Sequence, residues 1–275
     1  MAASALQVAC EREAEPTASG PAKVVLLTAN AGRPYEAAQI QILQRLISAR
    51  PGYEFKTLDA AGDAAAQAAQ LEQTLAQKPL AVMVTPVSPD TLAAGVAKAA
   101  PQGVMVIGLG SRSATLGAPT SLQVDQRALG RMAGEIAAQA LLKKAAAEGS
   151  KEASGRVVEL RIDELPDSDS ALRHEGFLEE LAKHPGIVLV HDAPGNGTRK
   201  GGRERTEEAL RLQSRFDVIY AHNDSMALGA STALGEGRQD VMIIGTDGYR
   251  GPEGGYSLVN SGELDASIHQ PVLVD

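Results

Sequence analysis

The sequence predicts an α/β fold made of two successive parallel-sheet units, and three observations lead there. From Lys23 onward, short β-branched runs alternate with longer Ala/Leu-rich segments whose apolar residues recur at helical spacing. The alternation pauses at a Gly/Ser/Pro-rich stretch over residues 110–119 and then starts again. The chain is 275 residues long, which suits two units of about 100 to 120 residues each better than one very large sheet.

Residues 24–28 read as a first buried strand, and Pro34 opens a helix with Ile40, Leu43 and Ile47 on one face. Residues 53–59 form the next strand. Asp63 caps an Ala-rich helix to residue 77, and residues 80–85 are a third strand. Ser88-Pro89-Asp90 supplies an N-cap, an N1 proline and an early acid for a helix ending before Pro101. Residues 104–108 and 121–124 are the last strands of the first half. A long helix over 125–144 begins the second half. Strands follow at 156–161, 187–191, 218–221, 241–246 and 266–269, with helices over 168–183, 199–213 and 224–234 between them.

Composition removes several functions. Lys plus Arg number 26 against 34 Asp plus Glu, a formal charge of −8, and the aromatic set is five Tyr, three Phe and no Trp. A nucleic-acid surface needs clustered cations and stacking platforms, so no nucleic-acid partner is expected. No run of about 18 apolar residues is present that would span a bilayer as a helix. The single cysteine, Cys10, has no internal partner. The apolar, small-residue run before it and the polar stretch over 11–22 after it resemble the tail of a bacterial lipoprotein signal. On that reading residues 1–22 are a tail or tether, Cys10 is the lipidation candidate, and a lipid anchor is the one membrane contact. The alternative is a tail with an incidental cysteine.

Enzyme signatures are sparse. Gly108-Leu109-Gly110 follows a strand as a dinucleotide fingerprint would, but Gly117 and Pro119 interrupt the helix that should receive the pyrophosphate. Gly195-Asn196-Gly197 lacks the Gly-Lys-Ser/Thr ending of a phosphate loop and reads as a solvated turn. The five histidines never take zinc spacing, and no Gly-x-Ser-x-Gly elbow occurs. No metal, cofactor or catalytic residue is expected. What remains is polar side chains at the C-terminal ends of strands, where open parallel sheets bind ligands. Asn223 and Asp224 follow one strand, Asp247 another, and Gln270 the last. Each has a structural reading too: Asp224 as the N-cap of its helix, Asn223 and Asp247 as turn formers.

Three ordered motifs carry a resemblance: residues 222–229 (HNDSMALG), 244–248 (IGTDG) and 262–271 (GELDASIHQP). They look like the periplasmic sugar-binding proteins of the ribose-binding type. Val124-Asp125 with Gly130 and Gly134, and Arg173 with Gly176-Phe177, are similar to that family's interlobe crossing and its Arg-x-x-Gly-Phe helix. The resemblance implies the type I periplasmic binding protein fold, with lobe 1 formed by residues 23–124 and 270–275, lobe 2 by 125–269, and hinge crossings between them. It also implies a small sugar-like ligand, an ABC transporter permease as partner, and a place in the periplasm or cell envelope. Carried over residue by residue, the family's cleft asparagine falls on Asn223, its aspartate on Asp247, its hinge glutamine on Gln270 and its ring-packing aromatic on Tyr35.

The sequence also departs from the family. Gly110-Ser111 replaces an Asp-Arg pair, with Arg112 one position on, Ala171 stands where an arginine is expected, and Arg33 precedes Pro34. Ser111, Arg112 and Arg33 therefore join the expected ligand-binding set, and the two arginines suggest an acidic or phosphate group on the ligand, against a reading as surface arginines. The family's final helix would start at Gln270-Pro271, so a C-terminally shortened version of the fold is expected, with part of the first sheet uncovered. Two other readings fit an α/β chain. One is the effector domain of a lactose-repressor-like regulator, which would need a helix-turn-helix that residues 1–22 are too short and acidic to form; the other is a small-molecule α/β enzyme.

Overall fold

A computed structural model describes residues 20–272 except 167, 214 and 252. Cys10 lies outside the described residues.

The first lobe contains β1 (Ala22–Thr28), α1 (Pro34–Ser48), β2 (Tyr53–Asp59), α2 (Ala64–Leu75), β3 (Ala81–Val84), α3 (Pro89–Ala99), β4 (Met105–Leu109) and β5 (Thr120–Leu122). Its strands are parallel, in the order β2-β1-β3-β4-β5. α1 covers one face through Leu43, against Val24, Leu26, Phe55 and Met83, while α2 and α3 cover the other. Leu80 and Met105, at the start of β3 and β4, stay about half exposed.

The second lobe contains α4 (Gln126–Ala147), β6 (Ser154–Arg161), α5 (Asp169–Leu181), β7 (Gly186–Pro194), α6 (Arg199–Leu212), β8 (Val218–Ala221), α7 (Asp224–Leu234), β9 (Met242–Asp247), α8 (Gly255–Asn260) and β10 (Ala266–His269). Its strand order, β7-β6-β8-β9-β10, repeats the topology of the first sheet. Each sheet therefore has a topological switch, between β1 and β3 and between β6 and β8, and the C-terminal strand ends at those switches open a crevice.

Helix starts follow side-chain chemistry. Asp63, Asp125, Ser168, Thr198 and Asn223 each accept a hydrogen bond from a backbone N–H of the first turn. Two caps differ from the sequence reading. Ser88 stands at the N-cap of α3, but its side chain makes no capping bond, since Pro89 already fixes the first turn. The cap of α7 is Asn223, not Asp224, because the carboxylate of Asp224 is engaged elsewhere. The short helix α8 was not expected. Gly255 permits it, since a Cβ there would overlap both Ser267 and Asp224. The segment after Gly110 is a single 3-10 turn, Ser111–Thr115, so no helix N-terminus follows the Gly-Leu-Gly run.

In the second lobe α4 packs closely against α5, and the approach depends on missing side chains. A Cβ on Gly176 would overlap the carbonyl of Arg127, and one on Gly130 the carbonyl of Arg173. Gly176→Ala should therefore cost about 1 to 3 kcal/mol through overpacking. Gly237→Ala, whose Cβ would meet nothing, should stay within about 0.5 kcal/mol of the parent. Urea melts of the two variants measure the contrast, and equal stability would mean that α4 and α5 pack less tightly than described.

Candidate functional site

Between the lobes lies an open cleft lined by residues of both sheets' C-terminal ends. Lobe 1 supplies the turn after β1, the start of α1 and the loops after β3 and β4. Lobe 2 supplies the loops after β6 and β7, the first turn of α5, and the ends of β8, β9 and β10. Arg33, Tyr35, Ser111, Arg112, Asn223, Asp247 and Gln270 all line it. The sequence reading had brought these seven together from positions 237 residues apart at the extremes, 270 minus 33.

They do not face it in the same state. Asn223 is buried and partly committed: Oδ1 caps α7 by accepting from Met226 N (2.8 Å), and Nδ2 donates to the carbonyl of Gly197 (2.9 Å). Its structural role is thus present, and its cleft-facing position comes with it. Ser111 contributes its backbone N–H, which donates across the cleft to Asp169 Oδ1 at 3.2 Å. Arg33 is exposed and lies 3.8 Å from the carboxylate of Glu36. Arg112 makes no side-chain hydrogen bond or ion pair among the described residues. The Tyr35 ring stands 6.3 Å from that of Tyr249, a contact from lobe 1 to lobe 2.

The residue at the centre of the site is Arg173, 3% exposed, which the sequence reading used as a family marker but did not place in the cleft. Its Nε donates to Gln126 Oε1 at 2.7 Å, one Nη to the carbonyl of His222 and the other to Gln270 Oε1. Gln126 directly follows the first interlobe crossing and Gln270 lies in the second, so one guanidinium fixes both. The site also includes Glu36, Asp163, Asp169 and Ser170. They could have been found by asking which residues occupy the first helical turn or the loop after each parallel strand, since those positions flank the crevice.

The carboxylates are strongly perturbed. Asp247 is 4% exposed, and burial, reinforced by the nearby carboxylate of Asp224, holds its pKa well above the usual range. Its φ of 126° lies in a region that L residues rarely enter, so the backbone is strained where the carboxylate meets the cleft. The strain is held by pairing: the Asp247 carbonyl accepts from Gln270 N at 3.0 Å. Burial pushes Asp224 up to about 6, while hydrogen bonds from Ser267 Oγ (2.6 Å) and Gly248 N (2.8 Å) pull it back. Burial also raises Glu36, with Arg33 opposing it.

Behind the cleft, His222 Nε2 meets Glu159 Oε1 at 2.8 Å and Nδ1 meets Ser170 Oγ at 3.0 Å. Burial lowers the pKa of His222 against the pull of Glu159. A neutral ring donates to the carboxylate and accepts from the hydroxyl, which satisfies both nitrogens. His174 meets the other oxygen of Glu159 at 2.7 Å and is raised by that bond. Among the described residues, Glu159, His174 and Asp192 are the one set with metal-compatible spacing, and it lies outside the cleft lining. Asp192 is already bound by Arg161 Nε at 2.5 Å.

Two α/β lobes with matching topology, joined by hinge crossings and enclosing a polar cleft, define the two-lobed solute-binding proteins. The chain belongs to the periplasmic binding protein domain family, which it matches over residues 24–273. It is 32% identical over 220 residues to the ribose import binding protein RbsB of Escherichia coli, covering 80% of this chain and 69% of that protein. It is 29% identical over 225 residues to the Haemophilus influenzae protein of the same name, covering 81% and 72%. Among solved structures, the myo-inositol binding protein of Caulobacter superposes with a TM-score of 0.76 at 26% identity, over 91% of this chain and 82% of that one. By their names these relatives are binding proteins, and the family is periplasmic.

The raised carboxylates set a pH dependence. Because the folded state holds the Asp247 proton to higher pH than the unfolded chain does, this contribution to stability is complete below about pH 3.9 and is lost as pH rises through the raised value. Asp224, pushed up to about 6, acts in the same direction. Between about pH 5 and pH 8 the unliganded protein should lose more stability than Asp247→Asn does. Melting temperatures of both proteins across that window measure the difference, and parallel curves would show that Asp247 is ionised throughout.

Proposed function

We propose that the chain is an extracytoplasmic solute-binding protein that captures a sugar or a related polyol in the interlobe cleft and delivers it to an ABC-type permease. What carries the reading is the convergence of Asn223, Asp247 and Gln270, all at least nine-tenths buried, on one cleft between two hinged lobes. Fixed carboxylate and amide groups suit ligand hydroxyls, each of which both donates and accepts. Tyr35 offers a ring face beside them. The names of the relatives point the same way, since they bind ribose and myo-inositol. Import supplies the partner, a permease that receives the closed, loaded form.

Removing a side chain that bonds a hydroxyl should weaken binding about 10- to 150-fold where charge takes part. Calorimetry with D-ribose, D-allose, myo-inositol and xylitol should find at least one ligand, with Asp247→Ala weaker than Asn223→Ala and both weaker than the parent. Unchanged affinity in both folded variants would move the ligand out of this cleft.

The reading extends to an envelope anchor at Cys10, supported by Val8-Ala9 before it and the polar stretch after it. Labelled palmitate should enter the protein in a bacterial host and be absent from Cys10→Ser. Equal labelling of the two would remove Cys10 as the anchor.

A further inference from the structure

Behind the cleft floor the side chains form a continuous line of hydrogen bonds from the half-buried His174 to the cleft. His174 Nδ1 meets Glu159 Oε2 at 2.7 Å, Glu159 Oε1 meets His222 Nε2 at 2.8 Å, and His222 Nδ1 meets Ser170 Oγ at 3.0 Å. Glu159, His222 and Ser170 are buried. Ser170 Oγ also holds the chain just after β6: it accepts from Ile162 N at 3.1 Å and from Asp163 N at 3.4 Å, and the Asp163 carbonyl lies 3.2 Å from it. Ile162, Asp163 and Ser170 all line the cleft.

A hydroxyl has one proton and two lone pairs, and that limit gives the arrangement two states. With the His222 ring neutral and its proton on Nε2, Oγ gives its proton to Nδ1 and its lone pairs to the two backbone N–H groups. Every group is then paired. With the ring protonated, Nδ1 becomes a donor, Oγ faces three donors with two lone pairs, and its own proton turns to the Asp163 carbonyl. One backbone N–H loses its partner, and the segment must shift to recover one from water, because an unpaired amide is expensive where water is scarce.

We propose that His222 is a positioning residue of the cleft: its neutral ring latches Ile162 and Asp163 into the cleft wall through Ser170, and its protonated ring releases them. This goes beyond solute capture and holds whichever ligand fills the cleft. Charges around the ring set where the latch opens. Burial opposes the ring proton, Glu159 of β6 favours it, and Arg173 and His174 of α5 add to the opposition, so that His222 lies below the ordinary imidazole range. β8 contributes the Tyr220 ring at 5.0 Å. Asp224 of α7 is bonded to Ser267 and Gly248, and Asp247 of β9 lines the cleft. His174 is raised by its bond to Glu159, with Asp192 of β7 adding to that and Arg161 of β6 opposing it. Falling pH therefore protonates His174 first and His222 second. Glu159 stays ionised, since the bonds from the two histidines outweigh its burial.

The test is amide hydrogen exchange read by NMR on the full chain without ligand, from about pH 7.5 to about pH 4.5, with 15N-labelled histidine reporting the ring. Protection of Ile162 and Asp163, taken relative to the β6 amides of Val157 and Val158, should fall about tenfold or more as the pH drops, with the same midpoint as the His222 nitrogens. In His222→Gln the fall should vanish, because the amide keeps an acceptor for Ser170 and a donor for Glu159 but cannot titrate. In His174→Gln the midpoint should move to higher pH, because a positive charge that opposes the ring proton is gone. Ser170→Ala removes the latch itself and serves where His222→Gln fails to fold: protection at Ile162 and Asp163 should then be low at every pH. A ring that stays neutral throughout overturns the proposal, as does one that titrates while Ile162 and Asp163 keep their protection. A pH-dependent fall that persists in His222→Gln or in Ser170→Ala overturns it as well.

Discussion

The structure depends on one buried cation. Arg173 has been taken out of water without a carboxylate bonded to it, and burying an ion costs several kcal/mol unless fixed groups replace its hydration. Three neutral acceptors from three parts of the chain do so: the amide of Gln126, the carbonyl of His222 and the amide of Gln270. Because two of them flank the interlobe crossings, the same bonds that solvate the charge also fix the hinge. Because the guanidinium lies under the cleft floor, it lowers the pKa of Asp224, Asp247 and Glu36 against the larger effect of their burial. The approach of α5 to α4 over Gly130 and Gly176 is what brings Arg173 within reach of Gln126.

Two aspartates show how one side-chain type divides between internal packing and the cleft. Asp224 turns inward, where Ser267 Oγ and Gly248 N hydrogen-bond to it, and Gly245 and Gly255 lack the Cβ atoms that would overlap its oxygens. It joins α7 to the ends of β9 and β10 and does not line the cleft. Asp247 lines the cleft, and its strained backbone is held by the Gln270 N–H. The buried negative charge of the first raises the pKa of the second.

Much of this was legible in the sequence, and the limits have physical causes. Strand positions came through in the sheet interior because parallel strands covered on both faces are short, nearly unbroken apolar runs, as at residues 218–221; residues 53–59 and 266–269 also fall where the structure has them, although these edge strands are only partly buried. α8 was missed because its start depends on empty space at Gly255, created by Ser267 and Asp224, which no local pattern encodes. The cap of α7 was misplaced by one residue because Asn and Asp are equally good caps, and only tertiary contacts assign Asp224 elsewhere. Asn223, Asp247 and Gln270 follow strand ends, so the parallel-sheet rule reached them. Glu36 and Asp169 lie inside first helical turns, where an acid is ordinarily explained by the helix dipole, and that local explanation hid their position in the cleft.

The two walls of the cleft are built differently, and this bears on how a ligand is held. On lobe 2 the polar groups are buried and mutually bonded: Glu159, His222 and Ser170 form a continuous layer behind the floor, with Tyr220 stacked between Phe177 and His222 at ring distances of 4.7 and 5.0 Å. Ordering those side chains costs nothing further on binding, since their rotamers are already fixed. On lobe 1 Glu36 is buried, but Arg33, Tyr35, Ser111 and Arg112 are exposed or half-buried, and the lobe reaches lobe 2 through the Ser111 N–H to Asp169 and the Tyr35 ring to Tyr249. Lobe 2 thus presents a wall of the cleft whose side chains are already fixed by one another, and lobe 1 a wall tied to it by few direct contacts.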